Sequence, residues 1–324
     1  MIFYFVSLVF VNNSEIRREK ILTMRNKFCL KLAVNGIVTL ILFFALSGCK
    51  GKSDSFSFVF MSDIHLTYER NAIPGFKKAI EEVNKLKPDF VITGGDLIMD
   101  ALSQRYTMAD SLYNLYSEMV KEIKAPVYNT MGNHELYGIY SRSGADPSNP
   151  EYGEKMFEKR LGKSYYSFDY KGWKFLVLNS VEDTGKDRYI GFIDSTQINW
   201  IKEELQKTDT LTPVVLVTHM PFITVNSQMY RYSTASNDSG LVVVNSREVL
   251  DLFSHYNLKL VLQGHLHMVE DIYIDGIRFI TGGAVSANWW RGPYRGDEEG
   301  FILVNVKGDD FTWKFIDYGW EVQK

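Results

Sequence analysis

Met131-Gly132-Asn133-His134-Glu135 closes the apolar-leaning run from Ala125 to Thr130, and the reading of this stretch decides the fold. Asparagine beside histidine behind a glycine is poor core material and good material for a reactive site. On an extended segment neighbouring side chains point to opposite sides. One can therefore hold something fixed while the other meets whatever arrives, and Gly132 permits the sharp turn that exposes both. Alone, such a pair is more often a hydrogen-bonded turn than a site. What decides is whether the rest of the chain supplies partners.

Working outward, the pattern of an apolar strand ending in polar residues recurs. Phe56, Phe58 and Phe60 alternate with Ser57 and Val59, then Met61 and Ser62 lead into Asp63 and His65. Residues 74–86 carry Phe76, Ile80, Val83 and Leu86 at helical spacing, and Pro88 stops that helix before a strand over 89–93, which ends in Gly94-Gly95-Asp96. A longer helix is expected over 103–124. Residues 137–150, rich in Gly, Ser, Asn and Pro, form an expected surface loop, followed by a short helix through Phe157 and Leu161. Strands follow over 165–170 and 173–179, then an amphipathic helix over 195–206 capped by Asp194 or Ser195. The strand over 213–218 ends in His219, and that over 258–263 ends in Gly264-His265-Leu266-His267. Short strands, including 300–306 and 311–316, complete the chain.

The 324 residues, 45% hydrophobic and 14% aromatic, bury a substantial core. Residues 1–48 do not belong to it. From Met24 onward, Arg25, Lys27 and Lys31 precede the apolar run 37–46 and then Leu46-Ser47-Gly48-Cys49, the layout of a secretory signal. Met24 is the expected start, with 1–23 an upstream extension. The last four residues resemble the lipobox of bacterial lipoproteins, in which the cysteine takes the lipid. The apolar run is shorter than the roughly 20 residues of a bilayer span, so a lipid anchor at Cys49 is expected rather than a membrane-spanning helix, with the protein exported and facing the periplasm or the cell surface. Residues 49–55 are a tether and 56–324 the folded domain. Cys29 leaves with the signal, so the mature chain has no disulfide. The first 48 residues hold six basic and two acidic side chains, so the net charge of −3 becomes about −7 without them. A surface of that sign does not attract nucleic acid.

Asp63, His65, Asp96, Asn133, His134, His219, His265 and His267 are the strand-end polar residues, and they include every histidine except His255. Ligands of α/β proteins bind outside the C-terminal ends of strands. Metal chemistry accounts for these residue types: Asp-x-His and His-x-His place two side chains on one face of an extended backbone, and oxygen and imidazole donors without thiolate suit manganese, iron or zinc. A carboxylate can give one oxygen to each of two ions, and two ions about 3.5 to 4 Å apart activate water and polarise a phosphoryl group.

In order, Asp63-Ile64-His65, Gly95-Asp96, Gly132-Asn133-His134-Glu135, His219 and Gly264-His265-Leu266-His267 resemble the motifs of the calcineurin-like metallophosphoesterases. The resemblance implies a four-layer α/β sandwich of two mixed sheets flanked by helices. It implies one metal on Asp63, His65, Asp96 and His267, and a second on Asp96, Asn133, His219 and His265, with Asp96 and a hydroxide between them. It leaves His134 as the catalytic residue that meets the substrate phosphate and the leaving oxygen. The implied function is hydrolysis of small phosphomonoesters or phosphodiesters, with cyclic nucleotide phosphodiesterase one specific version and a non-catalytic binding scaffold the alternative. Some relatives carry an Asp or Tyr three residues after the Gly-Asp aspartate. Here that position is Met99, so tyrosinate-iron chemistry is not expected. Asp100, one further on, either orients His134 or caps a turn. Tyr68, Arg70, Tyr137, Trp289, Trp290 and Arg291 are candidates for the pocket lining: the two tryptophans as rim packing or a stacking platform, Arg291 as a phosphate grip or a surface arginine. Glu135 is either an acceptor behind the site or solvated.

Overall fold

Phe56, Phe58 and Phe60 face one way and Val59 and Met61 the other, and that alternation sets the layers of the molecule. The computed structural model describes residues 55–322. The expected signal, Met24, Cys29, Cys49 and the tether up to residue 54 lie outside them. β1 (Ser55–Met61) runs parallel to β2 (Phe90–Thr93), with Phe58 opposite Phe90 and their rings stacked 5.1 Å apart. β3 (Val127–Tyr128) continues the parallel set, while β12 (Gly300–Lys307) and β13 (Asp310–Asp317) add two antiparallel strands on the other side, in the order β13-β12-β1-β2-β3.

The second sheet has the order β10-β11-β9-β8-β5-β4. It comprises β4 (Tyr166–Tyr170), β5 (Trp173–Val177), β8 (Val214–Val217), β9 (Leu258–Gln263), β10 (Val269–Ile274) and β11 (Ile277–Gly282), with the four middle strands parallel and the edges antiparallel. A small hairpin of β6 (Val181–Asp183) and β7 (Tyr189–Gly191) stands apart from both sheets.

One core lies between the sheets. Phe58, Phe90 and Ile302 come from the first sheet, and Phe175, Val215 and Leu262 from the second. The opposite strand faces, with Val59, Met61 and Val91 in the first sheet and Leu176, Leu216 and Val261 in the second, join a larger cluster that holds the helical side chains. α1 (Ala72–Leu86) contributes Phe76, Ile80 and Val83, α2 (Tyr106–Met119) Leu112 and Tyr116, and α4 (Ser195–Gln206) Ile198, Ile201 and Leu205. α3 (Lys155–Leu161), α5 (Asn226–Tyr230) and α6 (Ser246–Asp251) are short. Strands buried on both faces must be apolar at nearly every position, which is why β2, β5 and β8 show no alternation in the sequence.

The boundaries have local causes. α1 starts two residues before Pro74, which a first helical turn tolerates because its missing N–H is not used there. Asp194, not Ser195, caps α4, its carboxylate accepting the Gln197 N–H at 2.8 Å. The helix expected over 103–124 is shorter than its apolar spacing suggested. At its start, Asp100 pins the turn 100–104 by accepting from the Ser103 backbone and side chain and from Gln104. At its end, Asn84 accepts from the Lys124 N–H and donates to the Glu122 carbonyl, both at 2.9 Å, and so holds a 3-10 turn over Val120–Glu122. The expected surface loop 137–150 also differs: Tyr137, Ile139 and Ser143 are buried.

Candidate metal centre

Loops leaving the C-terminal ends of β1, β2, β3, β8 and β9 bring Asp63, His65, Asp96, Asn133, His134, His219, His265 and His267 into one cluster. The local geometry corrects the expected extended backbone. Asp63 (φ 55°), His65 (φ 46°), Asp96 (φ 52°), His265 (φ 72°) and His267 (φ 53°) are all left-handed, because the chain has left its strands and is turning. Each such residue costs roughly 1–3 kcal/mol and persists where the surroundings over-determine it; Asp and His tolerate the region better than most. Here the Asp63 N–H donates to the Gly95 carbonyl at 3.0 Å, the His65 N–H to the Asp96 carbonyl at 2.9 Å, and the His265 N–H to Asp63 Oδ2 at 2.9 Å.

Three overlapping sets of donors lie close enough to share an ion: Asp63, His65 and His267, then Asp96, His219 and His265, with His65, Asp96 and His134 between them. In the first, His65 Nε2 lies 2.9 Å from His267 Nε2 and 3.6 Å from Asp96 Oδ2, and His267 Nε2 lies 3.4 Å from Asp63 Oδ1. In the second, His219 Nε2 lies 3.3 Å from Asp96 Oδ1, 3.0 Å from Asn133 Oδ1 and 3.2 Å from His265 Nδ1. His134 Nε2 is 3.8 Å from Asp96 Oδ2, but its side chain is 23% exposed whereas that of His65 is fully buried. His134 therefore stands at the opening.

In four of the rings the second nitrogen explains which atom faces inward, while His65 Nδ1 is buried without a hydrogen-bond partner. His219 Nδ1 is bonded to the Gly94 carbonyl at 2.8 Å, His267 Nδ1 to that of Ala287 and His134 Nδ1 to that of Met99, which leaves Nε2 free in each. His265 is reversed: Nε2 is bonded to the Gly240 carbonyl at 2.9 Å and Nδ1 faces the cluster. A carbonyl on one ring nitrogen fixes the tautomer that leaves the other as a metal donor. Asp63 Oδ1 is buried without a hydrogen-bond donor, an arrangement that a cation would satisfy and that is otherwise costly. Carboxylate, carboxamide and imidazole donors fit manganese, iron or zinc.

The electrostatics agree. Burial would raise the Asp96 carboxyl, but His219 and His134 beside it hold it well below the usual carboxylate range. Burial opposes charge on His219 too, yet Asp96 outweighs it and raises that imidazole to about 9. Burial and the neighbouring His219 push His265 down to about 4. A cation entering the second group thus displaces a proton.

Sequence reasoning left Glu135 open, and the structure puts it in the interior behind the site. Its Oε2 accepts from the Gly132 N–H at 2.7 Å and the Asp96 N–H at 2.9 Å, and its Oε1 from Leu97 at 2.8 Å and Ile98 at 3.2 Å. Burial and the nearby Asp96 raise its carboxyl to about 7. Two motif glycines have a steric role: a Cβ on Gly132 would collide with Asp96 and one on Gly264 with Ser62 and Asp63. The sequence also hid Ser180, whose hydroxyl accepts the N–H groups of His219 and Met220 at 3.1 and 2.9 Å. No motif marks it.

Asp100 does not reach His134; it is the turn cap described above, and the Met99 carbonyl orients the ring instead. Trp290 is fully buried, its indole N–H donating to the His65 carbonyl at 3.0 Å, so it is neither rim packing nor a stacking platform. Trp289 is half-buried with its ring 4.3 Å from that of His267. Arg70 donates to the Trp289 carbonyl at 3.3 Å. Tyr137 is buried in the core, Tyr68 is exposed and bonded to Ser111, and Arg291 and His255 are exposed.

Residues 56–269 match the family model of calcineurin-like phosphoesterases. A manganese-dependent ADP-ribose/CDP-alcohol diphosphatase of Homo sapiens is 25% identical over 249 residues, covering 62% of this chain and 69% of that relative. The serine/threonine-protein phosphatase CPPED1 of Pongo abelii is 24% identical over 228 residues, covering 67% of this chain and 66% of that relative. Among solved structures, a dimetal phosphatase from Danio rerio superposes with a TM-score of 0.56 at 14% identity, covering 82% of this chain and 99% of that one. That likeness shows a shared fold.

Proposed function

This chain belongs to the calcineurin-like phosphoesterase family and is a hydrolase of phosphate esters, and we propose that it works through two metal ions, on small phosphomonoesters or phosphodiesters, outside the cytoplasm. The observation that carries the proposal is the division of Asp96, whose Oδ1 faces His219 and whose Oδ2 faces His65. A carboxylate split in this way can belong to two ions at once. Asp63, His65, Asp96 and His267 would hold one, and Asp96, Asn133, His219 and His265 the other. Bound there, the pair would polarise the phosphoryl group and bring the pKa of a water toward neutrality. The names of the manganese-dependent diphosphatase and the dimetal phosphatase support this reading.

His134 takes the proton-handling role. The Met99 carbonyl fixes its Nδ1, so Nε2 points past Asp96 toward the opening, where an ester's leaving oxygen would meet it. Its backbone N–H donates to Asp96 Oδ1 at 2.9 Å, which ties the position of the acid to that of the shared ligand. With both ring nitrogens carrying protons, the ring would give its Nε2 proton to the departing alkoxide and keep the Nδ1 proton on the Met99 carbonyl, which is general-acid catalysis.

The export proposal rests on the sequence, on Arg25, Lys27 and Lys31, the apolar run 37–46 and Leu46-Ser47-Gly48-Cys49. Among the described residues no helix is long and apolar enough to cross a membrane. A lipid on Cys49 would then hold the domain at the membrane, and labelling of cells with a fatty-acid analogue tests this: wild type takes the label and Cys49→Ala does not. The function itself is tested by metal analysis of the purified protein, together with turnover of a cyclic nucleotide, a nucleoside monophosphate and an aryl phosphodiester. Hydrolysis of at least one, lost on chelation, is expected. No metal and no turnover after reconstitution with manganese, iron or zinc would favour a binding scaffold.

A further inference from the structure

The loop between β11 and β12 carries two adjacent tryptophans with left-handed backbone, Trp289 (φ 50°) and Trp290 (φ 68°), just after Ala287 (φ 40°). Bulky residues are outliers in that region, and outliers of this kind collect at ligand sites. The loop is fastened to the first ligand group. The Ser286 hydroxyl donates to the Asp63 carbonyl at 2.8 Å, the Ala287 carbonyl takes His267 Nδ1, and the Trp290 indole N–H donates to the His65 carbonyl.

The two tryptophans divide the work. Trp290 fills the core, where a Cβ on Gly75 of α1 would strike its ring. Trp289 is only half-buried, although the same strain places it. Its ring centroid is 4.3 Å from that of His267 and 5.8 Å from that of His65, and Tyr294 meets it edge-on at 5.8 Å. Beyond Tyr294, the Arg295 guanidinium lies 5.0 Å over its ring and 3.8 Å over that of Tyr230. Tyr294 also meets the His267 ring edge-on at 5.9 Å, so Trp289, Tyr294 and His267 form one cluster of rings beside the first ligand group, extended by Arg295 and Tyr230.

We infer that Trp289, flanked by Tyr294, is the wall on which the substrate's organic group lies, and that the enzyme selects phosphoesters bearing a flat aromatic ring over those of aliphatic alcohols. This rests on the phosphoesterase reading above. Stacking on an aromatic side chain tolerates any flat ring because each has a π-face. A side chain fixed by strained backbone has already lost its freedom on folding, so little is lost again on binding.

The test compares adenosine 5′-monophosphate with ribose 5-phosphate, which differ by the base alone, on the manganese-loaded full chain and on Trp289→Ala and Trp289→Phe. Both kcat/KM and the calorimetric dissociation constants are measured, with metal content determined for each protein. The wild type should favour the nucleotide by about 10-fold or more, through KM. Trp289→Ala should bring that ratio close to one, and Trp289→Phe should keep it within about threefold of wild type. A wild-type ratio near one, or a ratio unchanged in Trp289→Ala, overturns the inference. If neither monoester is hydrolysed, the ratio of the two dissociation constants still decides the role of Trp289, and the functional reading fails only if the cyclic nucleotide and the aryl phosphodiester are also left intact.

Discussion

The buried carboxylate of Glu135 holds Asp96 through its backbone, accepting the Asp96 N–H at 2.9 Å, not through its side chain. The same group accepts from Gly132, Leu97 and Ile98, so it ties the turn that carries Asp96 to the turn that carries Asn133 and His134. Glu135→Ala leaves four interior N–H groups without an acceptor, each worth about 1–3 kcal/mol when unsatisfied. We expect a loss of at least about 4 kcal/mol in urea unfolding and a 10- to 100-fold weaker manganese affinity, the usual size of an effect from behind the ligands. Glu135→Gln, which keeps one acceptor oxygen, should fall between. Unchanged stability in Glu135→Ala would rule this role out.

Much of the site was legible in the sequence because its chemistry is concentrated in rare residue types: five of six histidines stand at strand ends. Glu135 was not legible, since its partners are backbone N–H groups that no residue type advertises. Nor was the left-handed backbone of Asp63, His65, Asp96, His265 and His267, because it depends on hydrogen bonds between loops far apart in sequence, such as that from the His265 N–H to Asp63. The α/β class followed from apolar strands and helical spacing and the two-sheet layering from the family resemblance, whereas the limits of α2 depended on Asp100 and Asn84, two polar side chains outside the apolar pattern.

His134→Ala should separate chemistry from metal binding. Its side chain is 23% exposed and lies outside both proposed ligand sets, so its loss should leave the manganese content at the wild-type value while kcat falls by about 10² to 10⁴, the usual contribution of a general acid. Loss of metal in this variant would make His134 a ligand.

Away from the site, Glu204 makes stability depend on pH. Burial pushes its carboxyl up, but hydrogen bonds from Ser167, Lys174 and Lys207 outweigh this and bring it down to about 2 from 4.5. A depressed carboxyl stabilises the fold fully above the unfolded value and less as pH falls from 4.5 toward 2. At about 1.4 kcal/mol per pH unit, wild type should exceed Glu204→Gln by about 3 kcal/mol at pH 6 and about 1.5 kcal/mol at pH 3. Urea midpoints at the two pH values check this. A gap that does not narrow would mean that the hydrogen-bonded geometry, not the charge, carries the effect.

The shared carboxylate is tested most directly by the number of manganese ions bound per chain when metal-free protein is titrated to saturation. We predict two in the wild type, one in His265→Ala, where the second group alone is damaged, and none held tightly in Asp96→Ala, where both groups lose a ligand. A single ion in the wild type, or two retained by Asp96→Ala, would contradict a centre built around Asp96.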